Sequence, residues 1–178
     1  MKTLLLLLTM LIFSGCAKPE DQASMDPVAT KGKQLVSEGN CSYCHTPLKE
    51  ENGEDVPDMD RYLSGHPESR PVPELPDFPI DSDQWLEYLT KLDSTVWAGG
   101  WGVTLSANIT PDKETGIGAW TEEMFIETMR QGRHKGYGRN LQPPMPWQDY
   151  GKLSDEQLKS IFAYLKSIKP VSNNVPRQ

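Results

Sequence analysis

Cysteine is scarce in this chain, with three in 178 residues, at positions 16, 41 and 44. Cys16 closes an N-terminal apolar run, and Cys41 and Cys44 form a close pair, so no thiol is left for a structural disulfide. Basic residues are also short: 18 Lys and Arg stand against 25 Asp and Glu, for a net charge of −7. Such an acidic chain is a poor partner for nucleic acid and for anionic lipid surfaces. Apolar runs of membrane-spanning length, about 20 residues, are missing. The sequence also lacks a Walker loop, a G-x-G-x-x-G fingerprint and a zincin motif. It shows no internal repeat, no sustained strand alternation and no sign of a second domain. What remains is one domain with appendages.

The first appendage is the N-terminus. Lys2 precedes an apolar stretch at 4–13 interrupted only by Thr9, and Ser14, Gly15 and Cys16 follow. This is the layout of an export signal. The segment Phe13-Ser14-Gly15-Cys16 also resembles a bacterial lipobox. The sequence therefore predicts a lipoprotein signal peptide over 1–15, lipidation of Cys16 and a flexible tether over 16–26. Several acyl chains on one residue would hold the protein to a membrane, since each buried CH₂ contributes about 0.8 kcal/mol. The rival is ordinary cleavage near Ala17, which leaves a soluble protein. Either way the destination is the cell envelope, facing the periplasm or anchored in the outer membrane.

The predicted fold class is all-α, with about four to five short helices and long proline-rich loops. Asp26-Pro27 reads as a helix start, with Val28, Gly32, Leu35, Val36 and Gly39 on one face. Residues 46–107 read as an extended loop insertion. Five prolines between 67 and 79 forbid a helix there, and Asp81 or Ser82 caps a short helix carrying Trp85, Leu86, Leu89 and Leu92. Thr121 caps a further helix, with Trp120 and Phe125 as a hydrophobic staple and Gly132 as its stop. The last helix has a capping box, Ser154 with Gln157, and an inner face of Leu158, Ile161, Phe162, Leu165 and Ile168. Pro170 ends it, leaving a tail over 171–178.

Cys41-Ser42-Tyr43-Cys44-His45 carries the chemistry. C-x-x-C-H is the attachment motif for c-type haem. Two thiols three residues apart can each reach one porphyrin vinyl group, and the next residue lies where its imidazole can bind iron. A thioredoxin-like redox pair would need a βαβ context, and a zinc site would need two more ligands. The cofactor predicted is therefore one haem c with its iron, joined through Cys41 and Cys44 and ligated by His45.

For the sixth iron position the candidates are Met25, Met59, Met124, Met129, Met145, His66 and His134. Met124 and Met129 fall in a helix, where core packing explains them. Met145 stands between Pro144 and Pro146 in Pro143-Pro144-Met145-Pro146-Trp147, and proline bracing lowers the entropy lost in holding a side chain on iron. Met145 is the favoured ligand. An open position, as in a haem enzyme or gas sensor, is the alternative.

Taken together, the first helix, the C-x-x-C-H run, the irregular middle, the proline-flanked methionine and the final helix resemble a class I cytochrome c. Asn108-Ile109-Thr110-Pro111-Asp112, Thr115-Gly116-Ile117-Gly118 and Trp120 are similar to the single-haem domains found beside membrane-bound alcohol and sugar dehydrogenases. The resemblance covers about residues 27–169. It implies an electron carrier rather than an enzyme, serving redox partner proteins such as a dehydrogenase, an oxidase or another cytochrome. It implies close crossing of the first and last helices, Gly32 against Tyr164 or Phe162, and Asn108 or Trp120 near a haem propionate. Arg130, Arg133, His134, Lys135 and Arg139 read as a solvated basic helix end, with propionate pairing or partner docking as alternatives.

Overall fold

The computed structural model describes residues 25–176. The predicted signal peptide and Cys16 lie outside the described residues.

Helix α1 (Pro27–Glu38) opens where the sequence placed it, with proline at its first position. Asp26 contributes its backbone rather than its side chain: its carbonyl accepts from Thr30 N at 2.8 Å, with no side-chain cap. The buried face is Ala29, Gly32 and Val36, while Val28 points outward. Asn40, in the left-handed region with φ 54°, then turns the chain into the one-turn helix α2 (Cys41–His45). Asn tolerates that conformation because its short polar side chain bonds locally.

The stretch 46–107 departs from the expected loop. It contains two antiparallel hairpins, β1 (Leu48–Glu51) with β2 (Glu54–Pro57), and β3 (Val96–Gly99) with β4 (Gly102–Leu105). Asn52-Gly53, both at positive φ, make the first turn. That dipeptide is the commonest two-residue hairpin signal. Strands of four residues are too short for alternation to stand out. Between the hairpins, Ser82 caps α3 (Asp83–Thr90), which buries Trp85 and leaves Leu86 outward. The proline run is strapped to the body: Arg70 pairs with Asp93 and donates to the Leu48 carbonyl.

Helices α4 (Glu122–Gln131), α5 (Trp147–Tyr150) and α6 (Asp155–Ser167) complete the body. Thr121 caps α4 and the capping box of Ser154 and Gln157 opens α6, both as the sequence predicts. The core joins Val36, Leu63, Ile117, Phe125, Leu158, Ile161, Phe162, Tyr164 and Leu165. Its spine is the α1–α6 crossing. A Cβ on Gly32 would stand 2.8 Å from Tyr164 Cβ and 2.5 Å from the Ser160 carbonyl carbon, with the Ser160 oxygen closer still. Only glycine lets the two backbones approach this far. Among the described residues no helix is long and apolar enough to cross a membrane.

Candidate haem-attachment site

Helix α2 supplies three functional groups within one turn. Cys41 and Cys44 are three residues apart, and such residues are neighbours on a helix surface. Both thiols are free and partly buried. Burial raises the pKa of each; at Cys41 a hydrogen bond with Tyr150 opposes that rise. Between them Tyr43 projects outward, 66% exposed.

His45 is buried, and its Nδ1 lies 2.8 Å from the Ala107 carbonyl oxygen. A carbonyl can only accept, so Nδ1 carries the hydrogen and Nε2 keeps its lone pair. Burial lowers the His45 pKa, favouring the neutral ring that binds metals. Two adjacent thiols and an oriented neutral imidazole form a donor set that fits haem c.

One short segment holds this histidine in place. Leu63 N donates to Thr46 Oγ1 and Gly65 N donates to the His45 carbonyl at 2.8 Å. On the segment's other side, Ile109 N donates to the Leu63 carbonyl and His66 N to the Ser106 carbonyl at 2.9 Å. Leu63, Ser64 and His66 are at most 1% exposed. Asn173 locks the segment from the far end of the chain. Its Nδ2 donates to the Ser64 and His66 carbonyls at 2.7 and 2.9 Å, and its Oδ1 accepts from Arg61 Nη2 and Glu68 N. Both donors and both lone pairs of the amide are used. The stretch read as a tail therefore reaches into the interior.

Asn108 is buried too, but its side chain is committed to the protein. Its Nδ2 donates to Thr115 Oγ1 and to the Val171 carbonyl, with Asn173 O within 3.4 Å. Its Oδ1 accepts from Thr110 N and Thr110 Oγ1. Both amide hydrogens and the amide oxygen are used within the protein, so Asn108 builds the loop. Trp120 packs against the core, its ring edge-on to His134 with centroids 5.0 Å apart. His66 lies beside the His45 main chain, with its Nδ1 3.0 Å from Thr95 Oγ1. Through its neighbour Gly65 it belongs to the segment that bonds the His45 main chain.

Met145 is partly buried on the strap before α5. Two contacts tie down the helix that follows it. Trp147 covers Gly132, and Tyr150 Oη donates to the Gly39 carbonyl at 2.6 Å, two residues before Cys41. Within the basic stretch, Arg130 is bound to Asp155 and to the Gly151 carbonyl. Sequence reasoning missed Gly65, Ala107 and Asn173. Nothing in a single sequence marks a carbonyl acceptor, and Asn173 sits in a polar stretch that reads as a tail.

The family model for cytochrome c matches residues 29–169. The fructose dehydrogenase cytochrome subunit of Gluconobacter japonicus is 29% identical over 99% of this chain and 29% of its own length. The gluconate 2-dehydrogenase cytochrome c subunit of Pantoea cypripedii is 30% identical over 97% of this chain and 30% of its own length. The cytochrome c subunit of the quinone alcohol dehydrogenase of Gluconobacter oxydans is 37% identical over 47% of this chain and 19% of its own length. The chain thus spans less than a third of these relatives. With the thiols, the oriented imidazole and the matched length in agreement, the chain belongs to the cytochrome c family, whose members carry covalently bound haem c.

Proposed function

We propose that this protein is an extracytoplasmic one-electron carrier, anchored by lipid on Cys16, with His45 and Met145 as axial ligands. Bound haem c supplies a Fe(III)/Fe(II) couple. The chain's own residues would hold that group. Cys41 and Cys44 would hold it covalently, and the Ala107 carbonyl keeps the His45 ring in one orientation and one tautomer. The observation that carries the methionine assignment is the strap: prolines flank Met145, and Tyr150 ties the following helix back to the turn before Cys41. Such bracing limits reorganisation when charge changes, and methionine opposite histidine raises the potential. The donor is proposed to be a dehydrogenase, by analogy with the three relatives, whose names are those of dehydrogenase cytochrome subunits.

The test is a redox-titrated visible spectrum of wild type beside Met145→Ala. The expected result is a ferric methionine–iron charge-transfer band in wild type only. The variant should show a large fall in potential and readily bind cyanide or CO. An unaltered spectrum in the variant removes Met145 from the iron and revives the open-site alternative.

A further inference from the structure

We infer that the buried segment 63–66, locked by Asn173, is a positioning device for the proximal histidine, and that Gly65 is its critical residue. The inference rests on His45 being the iron ligand. Gly65 touches that ligand's surroundings twice. Its N–H donates to the His45 main-chain carbonyl at 2.8 Å. Its α-carbon also faces the peptide whose carbonyl accepts from the His45 ring. A Cβ there would stand 2.5 Å from Ala107 C and 2.6 Å from Ala107 O, with Ser106 O closer still. Gly65 also has φ +74°, a conformation that L side chains rarely adopt. Any side chain at 65 must therefore push the Ala107 carbonyl away from His45 Nδ1 or distort the turn that carries both.

The chemistry follows from the direction of that hydrogen bond. An imidazole donating through Nδ1 is more basic at Nε2, and a more basic ligand favours the ferric ion. Lengthening the bond to Ala107 should favour the ferrous ion and raise the potential. Asn173 acts at one remove. It holds the Ser64 and His66 carbonyls on either side of Gly65, so its loss frees the segment without altering the backbone at 65. Both residues are positioning residues, since neither reaches the iron.

The experiment compares wild-type holoprotein with Gly65→Ala, Asn173→Ala and Gly100→Ala. The last is the control, because a Cβ on Gly100 meets only Ile80 Cδ1, at 3.6 Å. Two quantities are read: the midpoint potential, and the solvent exchange of the His45 ring N–H by proton NMR. For Gly65→Ala and Asn173→Ala, the expected change is a shift of about tenfold toward the ferrous form, or about 59 mV for one electron, with faster ring N–H exchange. Gly100→Ala should match wild type. Wild-type potential and exchange in Asn173→Ala overturn the inference, as does an equal shift in the control. If Gly65→Ala takes up no haem, Asn173→Ala decides alone. A wild-type protein that carries no covalent haem would defeat the haem assignment itself, which is a different failure.

Discussion

Gly32→Ala tests the α1–α6 crossing, and the competing arguments predict opposite signs. Helix propensity alone favours the variant by about 1 kcal/mol. Packing opposes it. The new Cβ would start 2.5 Å from the Ser160 carbonyl carbon, where ordinary contact begins at 3.4 Å. The obstacle is backbone, so no rotamer change relieves it, and the helices must part by at least about 0.9 Å. A radial gap of that size forfeits roughly a quarter to a half of the dispersion contact across it. Val36, Ile161, Tyr164 and Leu165 share this buried cluster. Taking about 2 kcal/mol for each buried side chain, the loss is about 2–4 kcal/mol. After the propensity gain, a net destabilisation of about 2 kcal/mol remains, within the usual range for overpacking. For a domain of this size it lowers Tm by roughly 4–8 °C. Guanidinium unfolding of the holoprotein, followed by far-UV circular dichroism, should show a lower midpoint at unchanged slope. A variant as stable as wild type, or more stable, would refute the close-crossing argument.

Two further outcomes follow. Burial holds the His66 pKa below its ordinary value. The unfolded chain therefore binds the extra proton first, and the stability from neutral His66 is present above the unfolded pKa, about 6.5, and lost as pH falls below it. Urea midpoints of wild type and His66→Gln between pH 7.5 and 5.5 should converge as acid is added; parallel curves would count against it. Cys16→Ser in the full-length precursor should move the haem protein from the membrane to the soluble fraction, whereas unchanged partitioning would rule out a lipid anchor there.

Much of the molecule could be read in advance because its signals are local. Pro27, Ser82, Thr121 and the Ser154–Gln157 box all mark helix starts with short-range chemistry. C-x-x-C-H concentrates the attachment chemistry in five residues. Gly32 against Tyr164 was legible only through family resemblance. What escaped reading is long-range or carried by backbone. Val28 and Ala29 compete for one helical face, and only the position of α6 decides for Ala29. Asn108 was expected near a propionate only through family resemblance, and its partners at 171 and 173 are remote in sequence. The Asn52-Gly53 turn went unread, because the strands beside it are too short and too charged to show a period.

The lock formed by Asn173 ties the integrity of the chain's end to the environment of its metal. A protease that clipped the molecule after Pro170 would spare every helix and every proposed ligand. It would still remove the amide that satisfies the Ser64 and His66 carbonyls, Arg61 and the Glu68 N–H. The cut would thus free segment 63–66, beside His45, while leaving the α1–α6 crossing intact.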